Sequence, residues 1–199
     1  DGAGRVAASY VSYDTDESSY ADADGVGGDT VVSQVVYDRD ALGNVLLETR
    51  FERKSNAGDA VGLLTTSSAE RYYVASWYDV LGRLVGRADY GTNGGSALTR
   101  PEDPPARSDT VLVTTWAYDD DPQEPPGDLG RLVEVTDPGG QATRRGYDNL
   151  GRLTSVVDNF VDGTPGPGDD DRRVELTYDA RSHVTKRKTW MTSTSDPEE

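Results

Sequence analysis

The phrase Tyr-Asp-x-x-Gly-Arg-Leu is written in full at YDVLGRL (78–84) and again at YDNLGRL (147–153). A catalytic motif is normally singular, whereas a phrase that recurs marks the joint of a repeated building block and decides the fold before any other signal. Partial copies stand at DGAGRV (1–6), YDRDALGNV (37–45), YDDDPQEPPGDLGRL (118–132) and YDARSHV (178–184). The glycine-equivalent positions are 4, 43, 82, 130, 151 and 182, separated by 39, 39, 48, 21 and 31 residues. The shortest spacing is roughly one bare unit; the longer ones are that unit with inserted loops.

The bare unit has a physical reading. LVEVT (132–136) precedes DPGG (137–140), and ATRRGY (142–147) follows before the next corner. Both segments have the usual length of a strand. Aspartate at the first position and glycine at the fourth suit a type I turn followed by a positive-φ residue, a short hairpin closure. Aspartate accepts hydrogen bonds from the turn's own amides, and glycine escapes the Cβ clash. Tyrosine thus ends one strand and leucine begins the next. The segments 45–51, 70–78, 84–89, 110–118, 153–158 and 173–178 fit the same template, rich in Val, Thr, Leu and aromatics. Helical periodicity is poor, and Gly and Pro recur too often for long helices. The expected fold is all-β: antiparallel hairpins in chain order.

Inserted loops are expected at about 14–30, 52–69, 90–109 and 158–172, on one rim of the sheet, while 119–129 enlarges a corner. Three of them hold six, five and five of the 36 acidic residues, and segments of that composition are expected to be mobile. A disordered tail is expected at about 192–199. With a net charge of −16, the chain lacks the basic face that nucleic acid requires. The absence of cysteine removes disulfides and thiolate metal sites, and no apolar run is long enough to span a membrane. The opening DGAGRV, a corner without its tyrosine, suggests that both ends lie inside a longer protein. On 110–118, Val111, Val113, Thr115 and Ala117 share one face and Leu112, Thr114, Trp116 and Tyr118 the other. Neither face is cleanly apolar, which predicts a thin sheet wetted on both sides.

These phrases resemble the Rhs/YD-repeat family. Tyr78, Asp79, Gly82, Arg83 and Leu84 fill its motif, as do Tyr147, Asp148, Gly151, Arg152 and Leu153. Gly130, Arg131 and Leu132 supply the second half after Tyr118 and Asp119; Tyr37, Asp38 and Gly43, and Tyr178 with Asp179, carry partial copies. Asn44 stands where arginine is usual, and Ser182-His183 replaces Gly-Arg, so the last corner is expected to be looser or differently turned. The resemblance implies a large antiparallel sheet spiralling into a hollow shell. In bacterial members such a shell often encloses a C-terminal toxin; in animal teneurins a similar one sits in an extracellular adhesion protein. It implies a non-enzymatic, secreted or cell-surface role, with the rest of the shell and a cargo domain as partners. Nothing matches the family's region after the repeats, so the chain resembles wall without contents.

Residues that could carry other chemistries also have plainer readings. His183, the only histidine, falls in a turn position usually held by arginine and reads as an exposed structural side chain. No G-x-S-x-G occurs, and the recurrent aspartates already serve as turn residues, which leaves no singular carboxylate pair for an acidic β-fold glycosidase. Asp22, Asp24 and Asp29 in DADGVGGD, and the stretch GDDDRR (168–173), are calcium candidates, but the EF-hand register fails at Val26 and Ser33. Tyr72, Tyr73, Trp77, Tyr78, Trp116 and Tyr118 read either as sheet packing or as a sugar-stacking platform. In the second case Trp77 and Trp116 are the glycan-stacking residues of a carbohydrate-binding or adhesion module contacting a surface glycan.

Overall fold

The computed structural model describes residues 1–14, 25–58, 60–119, 130–164 and 170–190. Among them run eleven strands: β1 (Ala8–Tyr13), β2 (Thr30–Arg39), β3 (Val45–Arg53), β4 (Ala69–Tyr78), β5 (Leu84–Asp89), β6 (Leu112–Tyr118), β7 (Leu132–Thr136), β8 (Ala142–Tyr147), β9 (Leu153–Asp158), β10 (Arg172–Tyr178) and β11 (Val184–Trp190). The single other regular element described is a 3-10 turn at Asn93–Gly95. The all-β expectation holds. Among the described residues no helix is long and apolar enough to cross a membrane.

The chain forms two compact units, Asp1–Val113 and Thr114–Glu199, with the boundary inside β6. In the first, β1 through β5 pair antiparallel in chain order. In the second, β6 through β11 do the same. Sequential antiparallel pairing needs only short connections, so successive turns fall alternately at the two ends of the strands. In the first unit 40–44 and 79–83 share one end; in the second 119–131, 148–152 and 179–183 do.

The pairing register shifts at Asp38/Arg39, Trp77/Tyr78, Ala117/Tyr118, Gly146/Tyr147 and Thr177/Tyr178. Tyr78 opposes Leu84 while Trp77 opposes Gly86, so Val85 is the extra residue. Every hairpin that closes on the repeated phrase therefore carries a β-bulge beside its corner, which sharpens the local twist.

The inserted segments depart from expectation. Thr30, Glu52, Arg53, Ala69, Asp158 and Arg172 belong to strands, so the loops are shorter than their composition suggested. In the first unit the described parts of the connections after β3 and after β5 are folded onto the sheet. Leu64, from the β3–β4 connection, is buried with Val31 and Ala69, and Val26 and Phe51 pack against them. The Leu64 N–H donates to the Gln34 side-chain oxygen (3.0 Å). The segment after β5 crosses the other half of the same face, where Ala75, Trp77, Ala88 and Val113 are buried together. The Trp77 indole N–H donates to the Pro101 carbonyl (3.1 Å), and Arg100 lies over its ring at 4.8 Å while donating to the Ser76 carbonyl. Pro104 sits so close that a Cβ on Gly86 would stand 2.8 Å from its Cγ.

The expectation of a sheet wetted on both sides is thus corrected for the first unit, whose insertions supply a second layer. The opposite face stays open: Glu70 and Tyr72 of β4 are exposed between buried Ala69 and Tyr73. In the second unit Val157 is the one buried apolar side chain among the described residues. The loop expectations over 15–24, 120–129 and 165–169, and the tail at 192–199, lie outside the described residues.

Candidate functional site

The repeated phrase folds into one hydrogen-bonded corner. At 79–83 the Asp79 N–H donates to the Arg83 carbonyl (2.9 Å), and the Gly82 N–H to the Asp79 carbonyl (3.0 Å). Asp79 Oδ1 accepts from the N–H groups of Leu81 and Arg83 (2.9 Å each), and Oδ2 accepts from Arg83 Nε (2.6 Å). One carboxylate thus satisfies two turn amides and pairs with the arginine that follows. Gly82 sits at φ +78, the left-handed region where a Cβ is strained. Asp148 makes the same set with Leu150, Gly151 and Arg152. Asp1, with Ala3, Gly4 and Arg5, makes it too. Asp119 takes the backbone and side-chain N–H groups of Arg131 across the long insertion, after which the chain re-enters at Gly130 with φ +63.

Two copies refine the sequence reading. In the second phrase the corner aspartate is Asp40, in place of Asp38: the Gly43 and Asp40 backbone bonds close on Asp40, and Asn44 donates to it from both backbone and side-chain nitrogens. The corner needs its carboxylate three residues before the glycine, and Asp38 is five away, a β2 residue opposite Leu47. Tyr37 likewise lies within β2, and Arg39 holds the place that tyrosine holds elsewhere. In the last phrase the expected looser turn is absent. Ser182 adopts φ +65 in the glycine's place, and the Asp179 carboxylate accepts from the Arg181 and His183 N–H groups (2.8 and 2.9 Å). His183 Nδ1 stands 3.2 Å from Asp179 Oδ2, where arginine Nε sits in the other copies, on a side chain 72% exposed. DPGG, at the opposite end of the second unit's strands, builds the same backbone corner around Asp137.

The corners are tied to one another. Arg131 donates from Nη1 to the Asp148 carbonyl (3.1 Å) and lies 4.8 Å over the Tyr147 ring. Arg152 repeats this on the next corner, donating to the Asp179 carbonyl (3.1 Å) and lying 4.7 Å over Tyr178. In return the Tyr147 hydroxyl donates to the Leu132 carbonyl (2.9 Å) and the Tyr178 hydroxyl to that of Leu153 (2.7 Å). These tyrosines cap a carbonyl where the bulge has splayed the ladder. The Tyr78 hydroxyl does the same to Val45 (3.2 Å). Arg39, in the tyrosine's position, reaches the Val6 carbonyl with its guanidinium (3.2 Å) and so reproduces the link with a different side chain. Cation–π contacts of this kind contribute roughly 0.5–1 kcal/mol each at partly exposed sites.

The electrostatics follow. The Arg152 backbone N–H, against an opposing effect of burial, lowers the Asp148 carboxyl below its usual range, and the His183 N–H does so for Asp179. For Asp40 the Asn44 side-chain amide acts most strongly. At Asp79 burial pushes upward, but the Arg83 and Leu81 donors outweigh it.

Asp171, within the GDDDRR stretch, had no signal marking it out as the one fully buried carboxylate. Its oxygens accept from the N–H groups of Val161, Asp162 and Gly163 (3.0–3.2 Å), organising the described part of the β9–β10 connection. Burial raises its carboxyl and those three donors lower it, with a net lowering. These bonds tie the described part of that acidic loop to its own aspartate.

The remaining candidates do not converge. Asp29 is buried, accepting from the Ser12 hydroxyl (2.5 Å); Asp22 and Asp24 lie outside the described residues. Among the described residues no group of three or more acidic or histidine side chains gathers as a metal shell would. Trp77 is 3% exposed under the segment after β5 and offers no face to a sugar, which corrects its reading as a glycan-stacking residue. Trp116 is half-buried on β6, and Tyr72 and Tyr73 point to opposite faces of β4.

Residues 128–164 match a family model described as RHS Repeat. No curated protein matches the chain. Among solved structures it is similar to a Photorhabdus luminescens Tc holotoxin pore carrying a TccC3 mutation, at 13% identity and a TM-score of 0.28, covering 82% of this chain and 9% of that one. It is also similar to a TcdB2–TccC3 structure, at 14% identity and a TM-score of 0.26, covering 80% and 10%. The chain therefore spans about a tenth of those chains. The matched segment holds the closing half of the 119–131 corner, the whole 148–152 corner and the Arg131 and Tyr147 that join them, and over those residues the repeat reading of the sequence agrees with the family model: residues 128–164 are an Rhs repeat.

Proposed function

We propose that this chain is a structural stretch of an Rhs/YD-repeat shell, whose partners are the remaining repeats of the same shell and a cargo domain that the shell encloses or presents outside the cell. The observation that carries this reading is the coupling between corners. Arg131 and Arg152 each bind the backbone of the next corner, and Tyr147 and Tyr178 each bind back to the start of the strand that follows the corner before, so one hairpin prepares the site for the next. Such nearest-neighbour construction suits a sheet that grows by addition of identical joints.

A catalytic role has less support. The carboxyls of Asp40, Asp79, Asp148 and Asp179 lie below their usual range, the opposite of what a general acid requires, and each has a structural task. The burial of Trp77 also weighs against a glycan platform on β4.

The test is limited proteolysis of the full-length gene product. Its cargo domain should be cleaved slowly in the intact protein and quickly in a Gly82→Val/Gly151→Val variant whose corners are opened. Equal cleavage rates in the two proteins would contradict containment.

A further inference from the structure

Where the connections after β3 and after β5 approach the start of β4, they leave a cavity of about 310 Å³, lined chiefly by Lys54, Thr66, Glu70, Arg71, Thr92 and Gly95. Two cations in one concavity are unexpected in a chain with 36 acidic and 20 basic residues. Among the described residues neither Lys54 nor Arg71 takes part in an ion pair. Each is instead fixed by a backbone carbonyl. Lys54 Nζ donates to Thr66 (3.1 Å) and Arg71 Nη2 to Gly95 (3.1 Å), which leaves further N–H groups on both heads.

The walls are braced. The Lys54 N–H donates to the Ser68 carbonyl (2.9 Å), and the Ser68 hydroxyl accepts from the Thr65 N–H (2.9 Å) in the turn that carries Thr66. Thr66 and Thr92 add hydroxyl donors. Lys54 and Arg71 both line the cavity, with the Arg71 guanidinium also 5.8 Å over the Tyr73 ring, and an oxyanion bound there would take charge-assisted hydrogen bonds from the N–H groups these heads have left. Glu70 borders the cavity from the other face of β4, its carboxylate 3.5 Å from the Tyr72 hydroxyl, and a ligand with a second negative charge would meet its repulsion.

We propose that this cavity binds a singly charged oxyanion, a carboxylate or sulfate ester, either free or carried on a sugar. The site is independent of the shell reading, because it is made by the insertions and uses no corner residue.

The experiment titrates the full chain with methyl sulfate and with a monosulfated disaccharide at constant ionic strength, following the backbone amide signals of Thr66, Arg71, Thr92 and Gly95. Saturable shifts are expected, weakened at least tenfold in Lys54→Gln/Arg71→Gln and strengthened several-fold in Glu70→Gln, which also serves should the double variant fail to fold. Tighter binding of the disaccharide identifies a sugar-borne ligand; equal binding identifies the free anion. Absence of saturation with both probes, undiminished binding in a folded double variant, or weaker binding in Glu70→Gln overturns the proposal.

Discussion

The two units close their hairpins on the same corner but bury their sheets differently. In the first, insertions lie across one face and Val31, Tyr73, Ala75, Trp77, Ala88 and Val113 are sealed beneath or beside them. In the second, nearly every described strand residue is half-buried at most, and the links between corners, with ion pairs such as Arg144–Glu134 (2.5 Å), hold the strands together. A repeat of this kind is stabilised along its ends by polar joints and gains a hydrophobic layer only where an insertion brings one. Two in-strand glycines show the contrast. At Gly86 an added Cβ would meet the Pro104 ring and the Trp77 ring together; at Gly146 it would meet the Ser155 hydroxyl, which can rotate away.

The largest expected effect is at Trp77. Trp77→Ala should cost about 3–5 kcal/mol, as for a buried aromatic in a core, whereas Trp116→Ala, half-buried, should cost clearly less. Urea unfolding of both variants checks this, and equal losses would erase the distinction between covered and bare sheet. Next, Gly86→Ala should destabilise by about 1–3 kcal/mol through overpacking, and Gly146→Ala by much less in the same assay. Gly82→Val and Gly151→Val should each cost on the order of 1 kcal/mol or more from backbone strain, alike in both units because the corner is the same. A double-mutant cycle on Arg152 and Tyr178 should return a coupling of about 0.5–1 kcal/mol; a coupling of zero would reduce the ring contact to coincidence.

The smallest effect is on pH dependence. The carboxyls of Asp40, Asp79, Asp148, Asp171 and Asp179 lie lower in the folded protein than their ordinary value of about 3.9. Their contribution is complete above that value and is lost as pH falls through the folded values. The melting temperature should therefore hold near neutrality and drop below about pH 4, with a shallower drop in Asp148→Asn.

The joints were the legible part of this chain. β7 and β8 begin and end at the residues the sequence marks, because a corner phrase and DPGG bracket them, and β5 and β9 do so with a corner phrase at their start alone. β1, β2 and β11 have weaker brackets. At β2, Tyr37-Asp38 imitates the phrase two residues early, and only the spacing to Gly43 favours Asp40. The second layer was not legible. Leu64 meets Val31, and Trp77 meets Pro101, across separations that no local pattern reports, and insertions of polar composition conceal the few apolar residues that dock. The links between corners escaped notice for the same reason: Arg152 and Asp179 are 27 positions apart and adjacent only once hairpins stand side by side.

The coupling of neighbouring corners is tested most directly by amide hydrogen exchange on an Asp148→Ala variant. Removing that carboxylate frees the amides of Leu150 and Arg152 and also releases the Arg152 guanidinium that binds the following corner. Faster exchange at 150–152 together with faster exchange at Ser182 and His183 is the predicted result. Faster exchange confined to 150–152, with the next corner as protected as before, would mean that the joints stand alone.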